Sequence, residues 1–245
     1  MNFSRDERIT FDEETHTYYI DSKKVNFSVT EFISQFFKEF DSEQVIEKWY
    51  SYWQSNENSK YFGMAKEEIT LHWKNLGDEA RDKGTQLHKV IEEFEKTHIV
   101  PYSISGLKEF KQYRDFRKEF FHLEMIELEY RVFDEELSIA GTIDCIAKDT
   151  NSQEIYLFDW KRVKEIKETG QENALYPLEH LANTNYWKYA LQLNMYKYIL
   201  EKFYGLQISG MYIVQFHEEL EEYNVVKIVN MEYEINKILQ YINFN

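Results

Sequence analysis

Apolar residues follow one rhythm up to Phe121 and another after it. Residues 9–20 set apolar and aromatic side chains on either side of a polar Asp12-Glu13-Glu14-Thr15 centre, the pattern of a β-hairpin. Ser28 or Thr30 then offers a cap for a helix whose apolar positions Phe32, Ile33, Phe36 and Phe37 recur at helical spacing. Asp41 and Ser42 offer the next cap, opening an aromatic-rich helix through Val45, Trp49 and Trp53 that the polar stretch 55–60 ends. Two further helices are predicted over 65–76 and 78–97, divided near Gly77, and another over 105–121.

Beyond Phe121 the runs shorten. Residues 126–134, 138–148 and 154–161 are rich in Ile, Val, Tyr and Phe and are separated by the turn-forming Asp134-Glu135-Glu136 and Asp149-Thr150-Asn151-Ser152. They predict an antiparallel meander. Residues 178–204 return to helical spacing, 207–216 and 222–229 read as strands, and 231–242 as a closing helix. The expected class is α/β with α+β character, a mixed central sheet flanked by helices. Residues 1–80 read as a hairpin and helical N-terminal part and 81–245 as the core, merged into one compact unit because no Pro/Gly/Ser-rich linker divides them.

Composition narrows the function classes. One cysteine among 245 residues allows no internal disulfide and no four-cysteine metal cluster, which points to a reducing, intracellular setting. Charges from Arg5 onward suit neither a secretory signal nor a transit peptide, and no apolar run is long enough for a bilayer, so no membrane partner is expected. The net charge of −15 argues against coating of a phosphate backbone, because that affinity comes from Lys and Arg. Any nucleic-acid activity must rest on a local site.

Such a site is visible in Gly141-Thr142-Ile143-Asp144 followed by Leu157-Phe158-Asp159-Trp160-Lys161. Strand alternation points Asp159 and Lys161 one way and Phe158 and Trp160 the other. If the two runs pair, Asp144 lies across from Asp159, and two carboxylates meet a lysine. Oxygen ligands of this kind suit Mg²⁺ or Mn²⁺. The competing reading is a surface ion pair, but Ile155-Tyr156-Leu157-Phe158 is apolar on both faces, and a central strand holds charges only at a cost. Upstream, His88 follows Gly84-Thr85-Gln86-Leu87 in a helix with Glu92 one turn beyond. It is either a ligand, which favours manganese, or a helix-face histidine bonded to Glu92. Gln192 and Tyr196, four apart, either contact phosphate or base or sit at the edge of a core of Leu191, Met195 and Tyr198.

Taken in order, Gly-Thr-x-x-His, Glu129 in Glu-Tyr-Arg-Val, Gly-Thr-Ile-Asp, Asp-Trp-Lys and Gln-x-x-x-Tyr resemble the RecB-type branch of the PD-(D/E)XK nucleases over residues 80–200. Residues 140–147 with 158–161 are similar to the mitochondrial genome maintenance exonuclease, and 185–200 to exonucleases of phages and large DNA viruses. The resemblance implies a PD-(D/E)XK core in which His88, Asp144, Asp159 and the backbone carbonyl of Trp160 bind Mg²⁺ or Mn²⁺. It makes Lys161 the catalytic lysine, has Gln192 and Tyr196 shape the site, and matches Glu129 to a recurrent acidic position. Arg162 stands where many relatives have threonine, Cys145 is alone where some have a cysteine cluster, and no Walker A motif supplies a motor.

The implied activity is a metal-dependent deoxyribonuclease, an exonuclease on single-stranded or frayed DNA ends in replication, repair or recombination. It would work alone or beside a helicase or other replication or recombination protein. The alternatives are a structure-specific endonuclease on flaps or branches and an inactive DNA-binding subunit. Arg162, Lys164 and Lys167 after the active strand, or Lys108, Lys111, Arg114, Arg117 and Lys118 on the preceding helix, are the candidate backbone contacts; the helical group equally suits a solvated face. The acidic surplus is expected elsewhere, at Glu218, Glu219, Glu221 and Glu222.

Overall fold

The computed structural model describes residues 5–100 and 107–243. The chain divides into two compact units, one made of the residues up to Lys38 together with those from His88 onward, the other of Glu39–Leu87. This differs from the expected split at residue 80 and from a single compact unit. The reason lies in the first elements. Strands β1 (Ile9–Asp12), β2 (Thr17–Ile20) and β3 (Lys23–Lys24) form a three-stranded antiparallel sheet. Its buried Ile9, Tyr18 and Ile20 pack against Phe133 and Ala140, far along the chain. Strand β4 (Phe27–Ser28) then pairs parallel to β6 (Ile139–Asp149).

Helix α1 (Val29–Ser34) starts at Ser28, whose hydroxyl accepts from the Glu31 N–H while the Glu31 carboxylate accepts from the Ser28 N–H. This reciprocal cap satisfies two backbone donors that a helix start leaves open. In the smaller unit, α2 (Ser42–Ser55) is capped by Asp41, and Ile46 packs with Tyr61 and Ile69. Helix α3 (Lys66–Thr97) runs 32 residues without interruption. The expected break at Gly77 is absent: the helix runs through the glycine between polar residues, and a single glycine weakens a long helix by only about 1 kcal/mol. Helix α4 covers Lys108–Glu119; residues 105 and 106 of the expected helix lie outside the described residues.

The meander is present as β5 (Leu123–Asp134), β6 and β7 (Ile155–Arg162). Helix α5 (Asn185–Phe203) carries the chain to β8 (Ile208–Phe216), parallel to β7, and β9 (Asn224–Lys227) and α6 (Glu232–Asn243) follow. Residues 178–184, expected to be helical, form turns and an isolated antiparallel bridge of Ala182 with Asn173, and end at Thr184, the residue before α5. The result is a six-stranded mixed sheet, in the order β4-β6-β7-β8-β9 with β5 on β6, flanked by helices. The main core includes Val29, Phe32, Ile143, Leu157, Leu191 and Met195, so α1 and α5 share one cluster with the sheet. Phe116 and Tyr113 of α4 contact Trp160 at ring distances of 5.7 and 5.6 Å.

One detail of the sheet positions the site. Along one edge of β6, β4 pairs with Ile139 and Ala140 and β7 pairs with residues 145–148. Residues Gly141–Asp144 between them have no ladder partner on that edge. The two neighbouring strands part where the motif residues stand.

Candidate metal centre

Register brings three carboxylates into one row. Leu128 pairs with Cys145 and Tyr130 with Ile143, which sets Glu129 across from Asp144. Cys145 pairs with Phe158, and the same register continued by one residue sets Asp144 across from Asp159. The ladder stops before that pair. In its place the Trp160 N–H donates to Asp144 Oδ2 at 2.7 Å.

His88 enters from α3. Its Nδ1 lies 3.3 Å from Glu129 Oε1 and 3.6 Å from Asp144 Oδ1, and its Nε2 lies 2.9 Å from the Trp160 carbonyl oxygen. Glu92, the alternative partner, bonds Lys96 instead. Glu129 has φ 48°, a left-handed conformation that is uncommon for a non-glycine residue. Such strain persists only where the surroundings over-determine it, and it gathers at working sites.

Lys161 Nζ lies 2.8 Å from both carboxylate oxygens of Asp159 and donates a hydrogen bond to Oδ1. Asp159 Oδ2 is buried and meets the same ammonium as an ion pair rather than as a second hydrogen bond. The Lys161 ammonium also sits 4.9 Å from the ring of Tyr189 on α5. Gln192 Nε2 donates to the Tyr196 hydroxyl at 3.4 Å, and Tyr196 is buried against Gly141. Those two residues therefore belong largely to the packing beneath the gap, with Gln192 half-buried at its edge.

The electrostatics reflect one crowded group. Burial alone would lower the His88 imidazole, but Asp144 and Glu129 outweigh it and push it up to about 9. Burial raises the Asp144 carboxyl, opposed by His88 and Lys161. Asp159 is pushed up to about 6, again by burial, against the pull of Lys161. Burial opposes the charge on Lys161, yet Asp159 and Asp144 hold its pKa above the ordinary value, so it stays an ammonium ion.

One atom each of His88, Glu129 and Asp144 falls within 4.8 Å of the others, a spacing that one cation can bridge. The Trp160 carbonyl stands at the other ring nitrogen, Nε2, where it orients the imidazole from the far side. Two carboxylates and an imidazole suit Mg²⁺ or, given the nitrogen, Mn²⁺. The donor set thus fits a divalent ion. It differs from the expected set in two respects: Glu129 joins His88 and Asp144 while Asp159 is engaged by Lys161, and the Trp160 carbonyl sits at the other ring nitrogen of His88.

The basic strip is not as expected. The Arg162 side chain is 8% exposed and donates to Glu109 at 2.8 Å and to Glu218 at 3.1 Å, so it is a structural cation rather than a backbone contact. Lys164 bonds Glu219 and Lys167 pairs with Glu165 at 3.2 Å. Two of the acids expected elsewhere therefore lie against these cations. On α4, Lys111 and Lys118 pair with Asp115, and Arg117 with Glu95. Sequence reasoning did not find Tyr18, whose hydroxyl lies 2.8 Å from Thr142 Oγ1. Only the alternation within 17–20 hinted that this tyrosine faces inward.

No family model matches this chain, and no curated protein matches it. Among solved structures it is similar to one described as the crystal structure of SSO0001, at 13% identity and a TM-score of 0.28, over 64% of this chain and 68% of the other. Among the described residues no helix is long and apolar enough to cross a membrane.

Proposed function

We propose that this protein is a metal-dependent DNA nuclease with a PD-(D/E)XK core, hydrolysing phosphodiester bonds at single-stranded or frayed ends. The observation that carries this reading is the Asp159–Lys161 pair standing beside the His88–Glu129–Asp144 cluster where β6 and β7 part. An ion pair and an acidic metal-type cluster so close together suit phosphoryl chemistry, which needs charge neutralisation and a positioned nucleophile. The exonuclease mode and the preference for DNA come from the motif resemblance.

In this reading His88, Glu129 and Asp144 hold the cation, and the Trp160 carbonyl orients the imidazole from its other nitrogen. A bound Mg²⁺ or Mn²⁺ would supply Lewis acidity toward the phosphate and lower the pKa of water. Lys161, charged at neutral pH, cannot serve as a base. Its role is to donate hydrogen bonds to water or to a phosphate oxygen as negative charge grows there. Asp159 fixes the direction of that ammonium, and Tyr189 covers it from α5. The Trp160 N–H keeps the Asp144 carboxylate from rotating.

The test is cleavage of end-labelled linear single-stranded, linear duplex and closed circular single-stranded DNA with Mn²⁺ or Mg²⁺, with a chelator control. Shortening of linear single strands that stops in the Asp144→Asn protein is the expected result. Cutting of the circle would make the enzyme an endonuclease, and equal cleavage by Asp144→Asn would remove the assignment.

A further inference from the structure

Four residues beside the metal-type cluster form a closed ring of contacts in which one arginine has no carboxylate partner. Arg131 is the cross-strand partner of Thr142. Thr142 Oγ1 lies 2.8 Å from the Tyr18 hydroxyl, and Tyr18 is the cross-strand partner of Phe11, with ring centroids 4.5 Å apart. The Arg131 guanidinium closes the ring 5.9 Å from the centroid of Phe11. Arg131 follows Glu129 by two residues, and Thr142 precedes Asp144 by two. Burial raises the Tyr18 phenol, Glu129 and Asp144 push it the same way and Arg131 pushes it back, which sets these charges in Coulombic reach of a single hydroxyl.

The arginine differs from most others in this chain. Arg5, Arg8, Arg81, Arg117 and Arg162 each pair with a carboxylate, and among the described residues only Arg114, on the exposed face of α4, shares with Arg131 the lack of one. Arg131 is exposed and pairs with none among the described residues, on a protein of net charge −15. Its nearest acid in sequence, Glu129, is turned to His88. A guanidinium resting near an aromatic ring is oriented without using its N–H donors, and those donors form a fork that matches phosphate oxygens.

We propose that Arg131, the hydroxyls of Tyr18 and Thr142 and the ring of Phe11 form a phosphate subsite for single-stranded nucleic acid, holding a phosphodiester next to the one presented to His88, Glu129 and Asp144. The subsite rests on the nuclease reading for its place in the reaction. The ligand is a strand rather than a free ion, because the half-buried Phe11 ring, packed on the buried Tyr18, offers aromatic surface beside the cation, and stacking with phosphate contact is how single strands are held.

The experiment measures fluorescence anisotropy of a labelled single-stranded oligonucleotide in Ca²⁺ over a series of KCl concentrations, using the full chain and its Arg131→Gln and Arg131→Lys variants. Arg131→Gln should weaken binding about tenfold, the loss of one charge-assisted contact, and reduce the salt slope by about 0.7, one phosphate contact on a single strand. Arg131→Lys should keep the slope while losing part of the affinity, since a point charge replaces a fork. Unchanged affinity and slope in Arg131→Gln would overturn the subsite. So would absence of binding by the native chain at low salt, or displacement of the oligonucleotide by millimolar inorganic phosphate. The same proteins assayed for Mn²⁺-dependent cleavage separate the two readings. An Arg131-dependent strand site without cleavage leaves the subsite and removes the nuclease; cleavage with unchanged Arg131→Gln binding does the reverse.

Discussion

The ring of Tyr196 lies directly against the backbone of Gly141: a Cβ at Gly141 would stand 2.7 Å from the phenol oxygen and 2.8 Å from Cε1. Gly141 opens the unpaired stretch of β6, so this contact seats α5 beneath the gap in the sheet. Gly141→Ala should destabilise the protein by about 1–3 kcal/mol, the usual cost of overpacking. Urea unfolding checks it. Tyr196→Leu, which removes both close atoms, should recover most of that loss in the double variant, and strict additivity would show that the two sites do not touch.

Metal binding and cleavage should separate by residue. His88→Ala, Glu129→Gln and Asp144→Asn should each weaken Mn²⁺ binding by about tenfold or more, as loss of a ligand or its support does. Lys161→Ala should retain Mn²⁺ and lose cleavage. Calorimetric titration with Mn²⁺ beside a gel assay reads both. Native-like Mn²⁺ affinity in Glu129→Gln would return Glu129 to a supporting role.

Affinity for the metal should rise with pH. Without metal the His88 imidazole carries its proton until about pH 9, held by Asp144 and Glu129 against burial, and it must lose that proton to become a ligand. Asp159 ionises only near about 6. Mn²⁺ affinity should therefore climb between these values, with about one proton released per ion at neutral pH. Titrations in two buffers of different ionisation enthalpy measure the release. The metal-free fold responds in the opposite sense. Because the folded pKa of His88 is raised, its pairing contributes stability fully present below the ordinary 6.5 and lost as pH rises through about 9.

Arg162 and Lys167 should behave as different kinds of cation. Arg162→Ala leaves Glu109, itself 8% exposed, without its partner and should cost about 3–5 kcal/mol, as breaking a buried pair does. Lys167→Glu, at an exposed pair, should change stability by less than about 1 kcal/mol. Thermal melts of the two variants make the comparison, and equal effects would mean that the Arg162 pair contributes nothing special.

The meander, the closing helix and the meeting of Asp144, Asp159 and Lys161 were legible because each follows from alternation and local turn residues. Other features depended on distant partners. Strand β4 is two residues long, so no periodicity announces it, and only its pairing with Ile139 and Ala140 makes it a strand. Gly77 looked like a divider because glycine weakens helices, yet its cost of about 1 kcal/mol is small beside a helix of 32 residues. The inward turn of Arg162 was readable after all. It has the parity of Phe158 and Trp160, both buried, so alternation already set it on the α4 side, where Glu109 meets it. Glu129 was the reverse case, since nothing local foretells a left-handed backbone within a strand.

That backbone sets folding against chemistry at one position. Glycine at residue 129 would adopt φ 48° freely and release strain of about 1–3 kcal/mol. The same replacement would remove the carboxylate that bonds His88 Nδ1. A screen that rewarded thermal stability alone would therefore drift toward Glu129→Gly and discard the site, whereas a screen for metal retention would hold the glutamate and keep the strain.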